Sequence, residues 1–438
     1  MNLLSIMVGK LIILVGKMVH RGSSMPGMVA LKINKKIFHY FKLPKKIIAV
    51  TGSSGKGSTS TAIATVLRQN GYRVVHNSSG ANLIYGILTL LLENTKWNGE
   101  IDADVLVYEV DERYTKYVFK EVKPDYVVIT NITRDQPPRQ GNPDLVAGTI
   151  EEALTDDMHL ILNGDDPILR QFVHKNKVTY YGVEKNRYSY KTSKFKSLNT
   201  AYCPKCHSKL EYHYYHFEDS GDYYCPKCSF KRPKIDYLVE KINYNKSYIQ
   251  INGTLVTIPY NILFAVNNVA AAFTMCSLLG LSNEEIASSM NQIYKNEKIF
   301  NIYPYKNRIV TVLNNKNENA STFNQSLLYV SRFKEKKVII IGWKEISRRY
   351  EFDDLSWLYD IDFELLKEEE IEKIICVGIN RYDIATRLKY ANLEKKLVIC
   401  TNLVEATSYI KDKTKGNIYA VVNFDYVKPF NELMNEGE

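Results

Sequence analysis

The chain has 438 residues, 45% hydrophobic and 24% charged, an ordinary soluble globular composition that is too long for one core and implies about two to four domains. A formal net charge of +10 favours acidic partners: nucleotides, nucleic acid or an anionic membrane surface. The charge reads as spread along the chain, with no arginine-rich tail, which argues against nucleic acid as a partner.

Met1 to Val19 is apolar but interrupted by Lys10 and Lys17, and no uninterrupted run is long enough to span a bilayer. It reads as an amphipathic helix, packed on the first domain or lying at a membrane surface, with packing favoured. Ile47 to Val50 has the β-branched, apolar look of a buried parallel strand. It leads into Thr51-Gly52-Ser53-Ser54-Gly55-Lys56-Gly57-Ser58-Thr59, and an alanine-bearing segment to Gln69 leaves that loop as a helix. Glycines at 52, 55 and 57 let backbone N–H groups approach an anion, and a helix N-terminus adds partial positive charge. Lys56 reaches the outer phosphates, and Ser58 or Thr59 offers a hydroxyl to Mg²⁺. The loop is therefore read as an ATP site, although the longer G-x-x-x-x-G-K-[ST] spacing is not met.

Tyr72 to His76 reads as a second strand and Asn77 to Asn82 as the turn behind it. Val105 to Val110 is a buried strand carrying Glu109 at its end, with Asp111 and Glu112 beyond. An acid there suits a Mg²⁺ ligand, so Glu109 is the first candidate. Tyr126 to Thr130 is a further strand, followed by the polar Asn131-Ile132-Thr133-Arg134-Asp135-Gln136, and Leu160 to Leu162 leads into Asn163-Gly164-Asp165-Asp166-Pro167. Polar clusters after successive strands are what a doubly wound parallel sheet presents at its binding edge.

Two C-P-K-C knuckles follow, Cys203/Cys206 and Cys225/Cys228, with eighteen residues between the inner cysteines. Four thiolates at this spacing close a tetrahedral Zn²⁺ site and leave no open position for a catalytic water, so the ribbon is read as structural. The other three cysteines sit singly in apolar runs, a pattern of a reducing compartment. Asn261 to Gly280 is an alanine-rich helix and Ser282 caps the next. Lys295 to Tyr305 reads as a polar linker. Beyond it a second α/β unit is expected, with strands at 309–313, 338–341, 374–377, 396–400 and 418–422 and helices at 326–333 and 383–391. Within it, the alternating acids and aromatics of Asp354 to Glu364 are either a solvated strand edge or a recognition surface.

Taken together, these motifs resemble the Mur ligase superfamily, and within it the MurT ligase-like subunits of lipid II isoglutaminyl synthase. The resemblance rests on G-x-x-G-K-G-S-T at the phosphate loop, Asn77-x-x-Gly80-Ala81-Asn82, Glu109, Asn131-x-x-Arg134-Asp135-Gln136, Asp165-Asp166-Pro167, the cysteine ribbon followed by Arg232-Pro233, Gly378, Asp383, and Arg387 to Ala391. It implies an α/β fold: an N-terminal segment (1–45) packed on a Mur ligase-like P-loop central domain (46–300) with a parallel sheet and a Cys₄ zinc ribbon inserted at about 198–235, then a C-terminal α/β domain (301–438).

It further implies an ATP-dependent ligase that amidates the α-carboxylate of D-glutamate in the lipid II stem peptide through an acyl phosphate. Lys56 and Glu109 would serve as catalytic residues. Thr51 to Thr59 and Asn268 would form the nucleotide site, and Ser58 and Glu109 would hold Mg²⁺. The implied partner is a GatD-type class I glutamine amidotransferase in a heterodimer, which supplies ammonia, with Asp360 completing its triad and Asp362 as the alternative. The implied location is cytoplasmic, with peripheral contact at the inner face of the membrane through the lipid-linked substrate. The sequence departs from the family pattern at 137–141, 316–322 and 343–353, and lacks a G-R-x-E-like element near Lys298. Two other readings follow from those departures: a weak scaffold that activates a glutaminase, or a ligase acting on another carboxylate.

Overall fold

The computed structural model describes residues 1–18, 24–78, 80–134, 141–172, 176–296, 300–314, 317, 319–344 and 354–435. Helices α1 (Asn2–Met18) and α2 (Met25–Ile33) precede strand β1 (Lys46–Thr51). Then follow α3 (Lys56–Gln69), β2 (Val74–His76), α4 (Ile84–Asn94), β3 (Val105–Glu109), α5 (Thr115–Glu121), β4 (Tyr126–Ile129), α6 (Pro143–Glu151), β5 (His159–Asn163) and β6 (Val178–Val183). The ribbon contributes β7 (Glu211–Phe217) and β8 (Ser220–Tyr224), and the chain returns through β9 (Tyr237–Asn243), β10 (Tyr248–Ile251), β11 (Thr254–Thr257), α7 (Leu263–Leu278) and α8 (Asn283–Asn296).

Nine of these strands form one sheet in the order β11-β10-β9-β6-β5-β4-β1-β3-β2. It is parallel from β2 through to β9 and antiparallel only at the β9-β10-β11 edge. The central strands are buried along almost their whole length, as expected where helices cover both faces. Helices α3 and α7 pack on one face; α4, α5, α6 and the α1–α2 pair pack on the other. Strand β1 is central, flanked by β3 and β4, so the loops leaving all three converge where the phosphate loop emerges.

A second sheet holds β12 (Phe300–Tyr305), β13 (Arg308–Leu313), β14 (Lys337–Trp343), β15 (Ile371–Gly378), β16 (Leu397–Cys400) and β17 (Asn417–Val422), ordered β12-β13-β17-β14-β15-β16. Only β12 is antiparallel. Helices α9 (Ala320–Val330) and α10 (Arg381–Tyr390) cover one face; α11 (Leu403–Lys413) and α12 (Phe424–Asn435) cover the other.

Three sequence readings need correction. The expected linker at 295–305 contains strand β12, which forms a hairpin with β13 through Lys306 in the left-handed region. Only its two ends, Phe300 and Tyr305, are buried, on opposite faces of the sheet, so the strand carries no period-two apolar signal among its flanking lysines and asparagines. The segment 354–364 is not a strand edge: it forms two 3₁₀ turns whose Trp357, Leu358, Ile361 and Phe363 are core residues, with Trp357 edge-on to Trp343, while Tyr359 between them is 57% exposed. Its aromatics follow the spacing of a buried turn, and Arg387 fixes it by donating to the Ile361 carbonyl (2.7 Å) and to Glu364 (3.1 Å). Helix α9 also begins six residues before the reading placed it, because Asn319 and Thr322 make a reciprocal cap.

Candidate functional site

The loop between β1 and α3 turns sharply because two of its glycines take conformations closed to other residues. Gly52 has φ +127 and Gly55 has φ +82. A Cβ on Gly55 would lie 2.2 Å from Asn268 Oδ1, and one on Gly52 would lie 2.4 Å from Thr130 Oγ1. Both positions therefore require glycine for space as well as for torsion. Helix α3 starts at Lys56 with no side-chain cap and no acid in its first turn, so its first N–H groups are available to an anion.

The loop is braced from the end of β4. Asn131 accepts from the Ser54 N–H and donates to the Ser54 carbonyl, each at 3.0 Å, and its own carbonyl accepts from the Ser53 N–H at 2.9 Å. Thr130 donates to the Ser54 carbonyl at 2.6 Å. The Ser53 hydroxyl meets the backbone of Thr133.

Lys56 lies over this cradle. Its ammonium donates to the carbonyl of Gly52 and, at 2.8 Å, to Glu112 Oε2. Only 11% of the Lys56 side chain and 3% of Glu112 are exposed. Burial pulls the Lys56 pKa down, but the charge and hydrogen bond of Glu112, with Glu109 and Asp111 beyond, outweigh it and leave the ammonium firmer than usual. Asp111 is drawn the other way: burial raises its pKa, and the Arg113 hydrogen bond and charge overcome this to hold it below the usual range.

Glu109 ends β3 facing the first turn of α3. Its Oε1 accepts from Asn82 Nδ2 at 2.8 Å, and its Oε2 would lie 3.1 Å from a Cβ on Gly57. Asn77 clamps the same residue's backbone, accepting from the Glu109 N–H (2.8 Å) and donating to its carbonyl (2.9 Å). The Asn77–Asn82 turn thus orients the acid. Ser58 is exposed at the start of α3, whereas Thr59 is fully buried, so of the two hydroxyls considered for Mg²⁺ it is Ser58 that faces outward. Asn268, on α7, backs the loop at Gly55.

The four ribbon thiols lie within 4.8 Å of one another. Cys203 and Cys228 are 3.6 Å apart, and Cys206 and Cys225 are 3.4 Å apart, all as free thiols. In each knuckle the first sulfur accepts a backbone N–H from two residues on, Lys205 to Cys203 and Lys227 to Cys225, each at 3.4 Å. Four sulfurs converging on one point with amide support form a donor set suited to Zn²⁺. Arg232 ties the ribbon to the large sheet through Asp165 (2.7 Å) and the Val183 carbonyl (3.0 Å).

The β7–β8 hairpin ends in Glu218-Asp219, both buried between the two sheets. Glu218 accepts from Asn199 (3.0 Å), Ser321 (2.7 Å) and Asn324 (3.0 Å), the last two on α9. Burial pushes its carboxyl up to about 8. Alongside, Arg134 pairs with Asp360 at 2.8 Å, lining one cleft with Asn199, Glu218 and Ser321. Asp362 accepts from the Lys196 N–H at 3.0 Å and is 3% exposed.

The chain's matches to known proteins agree with this arrangement. Residues 50–214 match the Mur ligase middle domain family, and residues 317–426 match the MurT ligase C-terminal family. A protein of Staphylococcus aureus (strain COL) named lipid II isoglutaminyl synthase (glutamine-hydrolyzing) subunit MurT is 30% identical over 95% of this chain and 94% of its own. This chain belongs to the MurT family. The MurT subunit of Streptococcus pneumoniae (strain ATCC BAA-255 / R6) is 27% identical over 94% and 92% of the two chains. Among solved structures, a pseudomurein peptide ligase type C from Methanothermus fervidus matches with TM-score 0.69 and 20% identity over 91% of this chain and 80% of its own. The MurF ligase of Thermotoga maritima, solved with ADP, matches with TM-score 0.58 and 16% identity over 91% and 81%. These two share the fold.

Of the residues singled out in the sequence, the fold brings Lys56, Glu109, the glycine loop and Asn268 together at one place and the four cysteines together at another. The sequence reading missed Glu112 as the counter-charge of Lys56, the Arg134–Asp360 pair, and Glu218-Asp219. Glu112 had a signal, since it lies three residues past Glu109 at a strand end. Glu218-Asp219-Ser220-Gly221 reads as an exposed hairpin turn, and nothing local shows that another domain buries it. Asp135, Gln136, residues 137–140, 316, 318 and 345–353, and the region at Lys298 lie outside the described residues, whereas Asn317 and 319–322 of the second divergent stretch lead into and begin α9.

Proposed function

We propose that this chain is the ATP-dependent ligase subunit of a lipid II amidating enzyme, converting the α-carboxylate of D-glutamate in the stem peptide to the carboxamide of D-isoglutamine. The observation that carries the reading is the assembled cradle: a glycine-permitted turn, an uncapped helix N-terminus, Lys56 held over it by Glu112, and Glu109 aimed at it by Asn82. A carboxylate resists attack by ammonia until it carries a good leaving group. Transfer of the γ-phosphoryl group to the carboxylate oxygen makes an acyl phosphate; ammonia then adds to the carbonyl carbon and phosphate departs. The N–H groups of α3 and Lys56 hold the phosphates and meet the charge that develops on transfer. Ser58 and Glu109 are suited to hold Mg²⁺, which would neutralise phosphate charge.

The central P-loop unit is taken as 46–300, with the ribbon at about 198–235, flanked by 1–45 and 301–438. The ribbon's role is structural: four protein thiolates would fill the Zn²⁺ coordination sphere. The partner is a class I glutamine amidotransferase of the GatD type, which releases ammonia from glutamine. Asp360 is assigned to complete its Cys–His pair by orienting the imidazole. Asp360 is half-buried whereas Asp362 is buried, which supports that choice, and Arg134 would have to release it.

The test is mass spectrometry of lipid II after incubation with the chain, ATP, Mg²⁺ and ammonium. Free ammonium replaces the partner, so the ligase half is read alone. An ATP-dependent carboxylate-to-carboxamide mass change is expected and should vanish in Lys56→Ala with folding and zinc content intact. Amidation surviving in that variant would overturn the assignment of Lys56. ADP release with another carboxylate acceptor, and none with lipid II, would move the activity to a different substrate.

A further inference from the structure

Helix α1 is apolar on the side that the protein leaves open. Its packed side presents Ser5, Ile6 and Gly9, with Gly9 set against Leu92 of α4. Leu3, Leu4, Met7, Leu11, Leu14, Val15 and Met18 lie within an arc of about 120° on the opposite side. They are exposed by 58, 45, 52, 59, 61, 52 and 77%. An exposed stripe of that length on one helix is far beyond the scattered apolar residues of an ordinary surface.

The surroundings say what covers it. Contrary to the reading of a charge spread along the chain, residues 1–45 carry eight basic residues and no acidic one, and the first acid of the sequence is Glu93. Lys10 and Lys17 flank one edge of the stripe. Lys32, Lys35 and Lys36 are exposed on and just after α2, which packs along α1 and joins its start through an Asn34–Asn2 hydrogen bond (2.6 Å). Glu93 is paired with Lys17, and Glu100 with Lys96. Trp97, 58% exposed, sits beside the same edge with the Lys10 ammonium 5.9 Å from its ring centroid. Apolar side chains in one plane, cations beside them and an amphipathic tryptophan at the rim are the features of a helix seated in a bilayer interface. No described helix is long and apolar enough to cross a membrane, which leaves the interface plane.

We infer that α1 is an interfacial membrane anchor that lays its Leu3–Met18 stripe into an anionic bilayer surface, with the α2 lysines on lipid headgroups. It deepens the proposed activity, on which its link to a lipid-bound acceptor rests, by giving that acceptor a docking plane. Helix α1 bears on α4, whose N-terminal loop carries Asn82 and thereby Glu109, so the anchored face and the site share one short run of chain.

The experiment is flotation of the full chain with vesicles of mixed phosphatidylglycerol and phosphatidylcholine, and with phosphatidylcholine alone. A variant with Leu3, Met7, Leu11 and Leu14 all changed to glutamine changes only exposed positions. The parent should float with the anionic vesicles, and the variant should partition at least about tenfold less. Trp343 and Trp357 are each 1% exposed, so a blue shift and quenching by brominated lipid would report Trp97. Parent that does not float, or a variant that floats equally, overturns the inference. So does a concentration-dependent dimer in solution that the variant abolishes, since the stripe would then be covered by a second copy. Amidation of detergent-dispersed lipid II with ammonium is measured on both proteins: retained activity without flotation sinks the anchor and spares the activity, and flotation without activity does the reverse.

Discussion

Replacing Glu112 with glutamine tests whether Lys56 is a charge held in waiting. The pair is 2.8 Å apart with both side chains largely removed from water. Removing one member of a buried ion pair costs about 3–5 kcal/mol, because the other charge is stranded. Glutamine keeps an acceptor, and Glu109, Asp111 and the Gly52 carbonyl still face the ammonium, so the cost falls at or below the bottom of that range, about 2–3 kcal/mol. For a unit of the size of the larger sheet domain, each kcal/mol moves the melting temperature by about 2–4 °C, giving a loss of roughly 4–12 °C. The assay is thermal unfolding of parent and variant, with and without saturating Mg²⁺ and a non-hydrolysable ATP analogue. Phosphate supplies the counter-charge that Glu112 no longer does, so the deficit should shrink once nucleotide is bound. A deficit of the same size with and without nucleotide would refute the idea that Lys56 changes partners. No deficit in the free protein would refute the claim that Glu112 stabilises it.

Metal analysis should find one zinc per chain, and the Cys203→Ser/Cys228→Ser variant should lose it along with the Glu218 contacts to α9; full stability without the metal would rule out a structural ribbon. Asp360→Asn breaks a half-exposed ion pair worth about 0–1 kcal/mol, so stability and ammonium-driven amidation should hold while glutamine-driven amidation with the partner collapses. If Asp362→Asn gives that phenotype instead, the assignment of Asp360 fails. Glu218 is protonated further in the folded protein than in the unfolded chain, since burial raises its pKa from 4.5 to about 8. Stability should therefore fall as pH rises from the ordinary carboxylate range through about 8, and Glu218→Gln should flatten that slope in melting temperatures measured between about pH 6 and 9. An unchanged slope would remove Glu218 as its source.

Much of the fold was legible because local and global signals agree in it. The all-apolar runs at β1, β3, β4 and β5 are buried on both faces, and each ends in polar residues that the parallel topology gathers at one edge. The cysteine knuckles and glycine turn carry their geometry within a few residues. What escaped reading depends on distance in sequence. Glu218 is buried by Ser321 and Asn324, more than a hundred residues away, and Asp360 meets Arg134 across two hundred and more. Strand β12 was lost because this edge strand buries only its end residues, Phe300 and Tyr305, on opposite faces and so shows no alternation. The exposed stripe of α1 was lost because apolar periodicity states that a helix has an apolar face, but not whether the protein covers it.

The residues that made the family recognisable mostly hold other residues in place. Asn77 clamps the backbone of Glu109 and Asn82 its carboxylate; Asn131 binds both polar groups of Ser54; Arg232 anchors the ribbon through Asp165; Arg387 caps the turn that bears Asp360. Each is an amide or guanidinium that can satisfy several groups at fixed angles, and each sits where a loop must keep one shape without help from a sheet or helix. A ligase of this kind must hold a carboxylate, a triphosphate and ammonia within bonding distance, and a displacement of about 1 Å is costly in rate. On the proposed assignment of Lys56 and Glu109, that requirement falls on the braces as much as on those two residues. It also accounts for the ribbon's placement. The Glu218-Asp219 hairpin tip accepts hydrogen bonds from α9, so the cysteine-ribbon insert ties the larger sheet to a helix of the smaller one.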